Sequence, residues 1–167
     1  MNKRLILVRH GNATSGINAG SDYDRTLSQT GIEEAQEMAF RLKNKRLVPG
    51  SILSSPAIRA LSTARIFAGI LGTEVKDIIT QDSIYESSVK SLLHTVNTLD
   101  ERVDTVAIFG HNPEISDFTE YLTGSGFYQM PTCGIAVIDF AQETWTHVSQ
   151  ETGVMFSFDY PGADSAL

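Results

Sequence analysis

One cysteine, Cys133, stands in 167 residues, so no disulfide can close within the chain and a disulfide-stapled scaffold is excluded. A reducing compartment suits such a chain, and the cytoplasm is the expected location. Basic residues are scarce: 13 Lys and Arg face 20 Asp and Glu, for a formal net charge of −7. General affinity for nucleic acid or for an anionic membrane needs a basic surface, so neither is expected as a partner. A local positive pocket can still form where arginines converge. Long apolar runs are also missing. Leu5 to Val8 is cut by Arg9 and His10, which is too short for a signal core. No stretch approaches the roughly 20 apolar residues of a membrane span. Repeats, low-complexity runs and linkers are absent, so residues 1–167 read as one domain. What is present is ordinary for a folded protein, with 41% hydrophobic and 20% charged residues, enough for one sizeable core.

Hydrophobic periodicity gives an alternating order of elements. Leu5 to Val8 reads as a buried central strand that stops at Arg9-His10-Gly11. Asn12 to Thr26 is rich in Asn, Ser, Gly and Asp and reads as loop. Ser28 is the expected N-cap of a helix to about Lys45, with Ile32, Ala35, Met38, Ala39 and Leu42 at helical spacing. Pro49-Gly50 is a turn before a strand at Ser51 to Ser54. Ser55 then caps a helix with Pro56 at its first position, running to Leu71 and ended by Gly72.

Val75 to Thr80 reads as a strand, and Ser87 or Ser88 opens a helix with Val89, Leu92, Leu93, Val96 and Leu99 inward. Thr105 to Phe109 is a β-branched strand. Asn112 is the expected N-cap of a helix that opens at Pro113 and ends near Leu122. Gly134 to Phe140 and Thr144 to Val148 read as two strands joined by a tight turn near Gln142, and the tail from Gly153 reads as lying along the surface. The pattern predicts an α/β chain: a three-layer α/β/α sandwich on a mainly parallel sheet with an antiparallel edge.

Unusual residues fall at three of the strand ends. Arg9 and His10 follow the first, Arg59 sits in the first turn after the second, and His111 follows Phe109. The carboxyl ends of neighbouring parallel strands share one edge, which carries the ligand crevice of an open α/β sheet. If these strands are adjacent, two arginines and two histidines meet there. The helix starts at Pro56 and Pro113 would add free N–H groups. That is an anion site, and a dianionic phosphoryl group fits it.

Leu7-Val8-Arg9-His10-Gly11-Asn12-Ala13 resembles the Arg-His-Gly signature of the histidine phosphatase (phosphoglycerate-mutase-like) superfamily. Ser54-Ser55-Pro56-Ala57-Ile58-Arg59-Ala60, with Thr63-Ala64, is similar to that family's second arginine motif. Gly110-His111-Asn112 resembles its second histidine motif, and Thr26 to Gly31 the stretch that opens its first helix. Thr26 stands where relatives often have proline. The short chain and the Arg-His-Gly-x-Ala form look most like the SixA-type phosphohistidine phosphatases. The stretch from Ala64 to Thr105 leaves no room for the large helical cap of longer relatives, which implies a shallow, open site.

The resemblance implies a phosphatase without metal or cofactor. A neutral His10 would be the nucleophile, its second nitrogen donating to a backbone carbonyl. Arg9 and Arg59 would hold phosphoryl oxygens with planar forks that lysine lacks. His111, protonated or at least donating, would bind another oxygen. Glu86, at the place of the family's catalytic glutamate, is the candidate acid and base, or else a solvated loop carboxylate. Asn12 and Ser15 could reach the phosphate or simply shape the loop. Cys133 reads as an inert packed thiol, and His94 and His147 as surface residues. The expected partner is a phosphorylated protein, such as a histidine-phosphotransfer domain, or a small phosphomonoester. The alternatives are a small-molecule phosphomonoesterase and a non-catalytic phosphate-binding module.

Overall fold

The computed structural model describes residues 2–17 and 20–164. The loop reading at Asn18 and Ala19, and the last three residues of the tail, lie outside the described residues. Among the described residues, six strands form one sheet: β1 (Lys3–Arg9), β2 (Ser51–Ser54), β3 (Ile79–Thr80), β4 (Thr105–Gly110), β5 (Ile135–Phe140) and β6 (Gly153–Asp159). Their order is β3-β2-β4-β1-β5-β6. The first four run parallel, β5 is antiparallel to β1, and β6 is antiparallel to β5. Five α-helices among the described residues flank it: α1 (Gln29–Asn44), α2 (Ile58–Leu71), α3 (Asp82–Tyr85), α4 (Val89–Asn97) and α5 (Glu114–Thr123).

Strand periodicity sends alternate side chains to opposite faces. Ile6 and Val8 of β1 join Met38, Ala39, Phe67 and Ala68 under α1 and α2. Leu5 and Leu7 join Leu92, Val96, Ile115 and Phe118 under α4 and α5. The result is the expected α/β/α sandwich, with β1 central and apolar on both faces. Among the described residues, no helix is long and apolar enough to cross a membrane.

Ser28 caps α1 by accepting from Gly31 N–H. The other expected caps differ. α2 begins at Ile58, two residues later than Pro56, although Ser55 Oγ still accepts from Ala57 N–H at 3.2 Å. α5 begins at Glu114, and the Asn112 side chain instead accepts from Ser116 Oγ and donates to the Met130 carbonyl.

Three segments correct the sequence reading. Residues 75–77 form a 3₁₀ turn, so only Ile79–Thr80 pairs with β2. Residues 144–148 are not a strand but a 3₁₀ turn at Trp145–His147. The partner of β5 is Gly153–Asp159, read from sequence as surface tail. Trp145 leaves the ladder because its ring is fully buried and its Nε1 donates to the Val103 carbonyl at 2.8 Å. Side chains satisfy its neighbours: Glu101 accepts from the N–H groups of Trp145 and Thr146, and Asn97 donates to the carbonyls of Trp145 and Val148.

Candidate active site

The sheet order places the carboxyl ends of β2, β4 and β1 side by side. The chain stays paired just past the strands: His10 N–H donates to the Gly110 carbonyl and Ser55 N–H to the Phe109 carbonyl, both at 3.0 Å. His10, Ser55 and His111 are therefore held by backbone that continues the sheet. The crevice has a volume of about 590 Å³ and is lined by Arg9, His10, Asn12, Asp22, Arg25, Arg59, Tyr85, Glu86, His111 and Glu114, among others. All six residues expected from the sequence line it. Ser15 is exposed and does not.

His10 is 9% exposed, and its Nδ1 lies 2.7 Å from the Gly11 carbonyl. A carbonyl only accepts, so Nδ1 carries the proton and Nε2 keeps its lone pair. Burial, helped by the charges of Arg59, Arg9 and Arg25 against the one hydrogen bond donated to the Gly11 carbonyl, pushes the His10 pKa down to about 4. The ring is neutral at physiological pH.

The loop that carries this carbonyl is tightly placed. A Cβ on Gly31 would collide with the Asn12 carbonyl, so glycine lets α1 approach the loop. Gly11 N–H donates to Thr63 Oγ1 at 3.0 Å, and that hydroxyl donates to the Arg59 carbonyl at 2.7 Å. Behind the site, Cys133 N–H is shared between the carbonyls of Arg9 and His10, and burial pushes its thiol up to about 12. A thiol of that kind is inert at neutral pH.

His111 is 7% exposed, its ring centroid 5.2 Å from that of His10. Burial, then the charges of His10 and Arg59, lower its pKa to about 3. The ring is neutral at physiological pH, which leaves the second of the two forms read from the sequence, a donating ring without a charge. Its Nε2 is 2.7 Å from Ser55 Oγ, which already accepts from Ala57 N–H. Ser55 Oγ has no other acceptor among the described residues, so its proton goes to Nε2, which leaves the His111 proton on Nδ1 as a donor.

Both arginines are anchored from one side. Arg9 Nη1 donates to the Met130 carbonyl at 2.8 Å. Arg59 donates from Nη1 to the Asp22 carbonyl and from Nη2 to Asp22 Oδ2, at 2.7 and 2.9 Å. Asp22 also accepts from Arg25 at 3.1 Å and from Tyr85 OH at 3.0 Å. Partial desolvation opposes ionisation of Asp22, but these bonds from Arg25, Tyr85 and Arg59 hold its pKa down to about 2.

Arg9 Nε, Arg59 Nε and His111 Nδ1 are buried without a hydrogen-bond partner. Three such donors around one crevice are costly unless an acceptor arrives. Arg9, Arg59 and His111 all line the crevice, and a tetrahedral oxyanion there offers acceptors to guanidinium and imidazole N–H groups.

Asp22, Arg25, Tyr85 and Glu114 were not singled out from the sequence. Asp22 and Arg25 carried one signal: with Asp24 they are the charged residues of the loop from Asn12 to Thr26, of opposite sign and three positions apart. Among the described residues, no three of His, Cys, Asp or Glu gather as metal ligands would.

Fold and site together define a phosphate-handling α/β protein, with a neutral imidazole at the floor of an arginine-lined crevice. The sequence matches the family described as Histidine phosphatase superfamily (branch 1) over residues 5–92. The chain belongs to the histidine phosphatase superfamily, whose members are phosphatases, and its sheet has the phosphoglycerate-mutase-like order. It is similar to the solved structure of a protein of Agrobacterium tumefaciens assigned as a phosphohistidine phosphatase SixA. That match has 27% identity and a TM-score of 0.81, and covers 97% of this chain and 100% of that one. A second solved structure, the protein histidine phosphatase SixA complexed with tungstate, aligns with a TM-score of 0.82 at 22% identity, covering 95% and 97% of the two chains. An uncharacterised protein of Mycobacterium leprae is 28% identical over 153 residues, 84% of this chain and 89% of its own length.

Proposed function

We propose that this protein is a phosphohistidine phosphatase acting on a phosphorylated protein, with the whole chain as one catalytic domain and the cytoplasm as its compartment. One observation carries the reading. Arg9, Arg59 and His111, each with an unpartnered nitrogen, line the crevice beside a neutral histidine whose Nε2 lone pair is free. The likeness to a SixA-type protein over nearly the full length supports it.

In the first step the Nε2 lone pair of His10 attacks phosphorus, and the phosphorus–nitrogen bond of the substrate breaks. The departing imidazole leaves neutral when its other nitrogen carries a proton. Arg9, Arg59 and His111 hold the equatorial oxygens. In a loose phosphoryl-transfer transition state, such positioning and charge neutralisation supply most of the catalysis, and the guanidinium groups provide it without a metal ion. Water then attacks phospho-His10, Glu86 accepts its proton, and inorganic phosphate leaves. Asn12, beside His10 in the loop, is a further oxygen ligand. The site is open because only a 3₁₀ turn, the two-residue β3 and the short α3 and α4 stand between α2 and β4, and an open mouth suits a phosphate displayed on a protein.

The crevice volume of about 590 Å³ also accommodates a small phosphomonoester, which is the second reading. The deciding experiment uses a ³²P-phosphohistidine peptide and a panel of sugar phosphates. The expected result is an acid-labile phosphoenzyme, absent in His10→Ala, and faster phosphate release from the peptide. Faster turnover of sugar phosphates would transfer the activity to small molecules. Binding with no phosphoenzyme and no release would make the protein a phosphate-binding module.

A further inference from the structure

The charges lining the crevice balance. Arg9, Arg25 and Arg59 face Asp22, Glu86 and Glu114. Asp22 is committed between Arg25 and Arg59. Among the described residues, Glu86 and Glu114 form no ion pair. A site with this balance turns net negative when a phosphate dianion enters. A carrier with a second anionic group near the mouth adds repulsion, and a cationic carrier removes it.

A second cavity adjoins the first. It has a volume of about 420 Å³, shares Asn112 with the crevice, and is lined by Pro113, Ser116, Asp117, Tyr128 and Gln129. Asp117 is exposed, and Tyr128 is 91% exposed. An aromatic face beside a free carboxylate is what a lysine or arginine side chain needs. The stem lies along the ring and the charged head reaches the carboxylate. The arrangement is anchored by a built anion site, since Arg59 and His111 are 5% and 7% exposed and each has an unpartnered nitrogen.

We infer that the phosphoryl group is carried on a polypeptide segment with lysine or arginine beside the phosphorylated residue, and that Glu114, Asp117 and Tyr128 read those side chains. This rests on the phosphoprotein reading above and adds the chemistry of the partner. A chain advances about 3.3 Å per residue when extended, so a neighbour a few positions away spans from one cavity to the next. The selectivity belongs to association. It acts on KM more than kcat, and salt weakens it because the mouth is solvated.

The test compares three phosphohistidine peptides that differ only in flanking residues: two lysines, two glutamines or two glutamates. At low ionic strength the lysine peptide should exceed the glutamine peptide in kcat/KM by about tenfold, and the glutamate peptide should fall below both. The gap should narrow in 0.5 M salt. The double variant Glu114→Gln/Asp117→Asn should lose most of the gap, and Asp117→Asn alone, outside the crevice, should lose part of it while still hydrolysing the glutamine peptide, which doubles as the folding control. Tyr128→Ala, at a fully solvated ring, should reduce the gap independently. Equal rates on the three peptides, or preference for glutamate, would overturn the inference while leaving the phosphatase reading intact. Turnover of sugar phosphates with none of any peptide would bring down both.

Discussion

At the scale of single residues, the site depends on which ring nitrogens carry protons. His10 is set by a carbonyl, which can only accept. His111 is set by Ser55, a hydroxyl with one proton to give. Ser55→Ala removes that donor and lets the His111 proton move to Nε2, turning Nδ1 toward the substrate as an acceptor. The lost interaction is worth about 1–3 kcal/mol, so kcat/KM should fall about 5- to 150-fold. Ser55→Thr keeps the hydroxyl and should recover most of the rate. Steady-state kinetics on all three proteins checks this, and an alanine variant as fast as the wild type would show that the tautomer is set elsewhere.

At the scale of elements, the site is a seam between β1 and α2. Thr63 ties Gly11 N–H to the Arg59 carbonyl, joining the loop after β1 to the first turn of α2. Thr63→Val keeps the volume but strands a buried N–H, at a cost of about 1–3 kcal/mol. Its urea midpoint should drop accordingly, and kcat should drop with it because His10 and Arg59 lose their common brace. A variant destabilised but fully active would argue that the brace serves folding alone. The elements that hold this seam were legible because each is long or ends in distinctive residues: β1, α1, β2, α2, β4 and α5 all appear within about two residues of their expected bounds. The edge was less legible for a physical reason. Trp145-Thr146-His147-Val148 has strand composition, yet Glu101 and Asn97 satisfy its backbone from distant positions. Gly153 to Asp159 looked like a tail, yet it packs Met155 and Phe158 against the core. The same blindness hid Asp22. A loop carboxylate becomes a site residue only when folding brings Arg59, 37 positions away, beside it.

At the scale of the whole molecule, a crevice built for an anion makes the empty protein sensitive to acid. His10 and His111 titrate near 4 and 3 in the folded state, against about 6.5 in an unfolded chain. Above pH 6.5 both states hold neutral rings, and these groups give stability no slope. Between pH 6.5 and 4 the unfolded chain takes up protons that the folded chain refuses, so stability falls as pH falls. The limit is about 1.4 kcal/mol per pH unit for each histidine. Asp22, held down to about 2, titrates below this window and does not blur it. Urea unfolding at pH 7.5, 6.5, 5.5 and 4.5 should show a steep loss below 6.5 in the wild type and a shallower one in His10→Gln/His111→Asn. Added tungstate should also flatten the wild-type profile, because a bound oxyanion fills the unpartnered donors and favours a protonated His111. Parallel profiles for the two proteins would mean that the buried imidazoles are not the groups that take up the protons on unfolding.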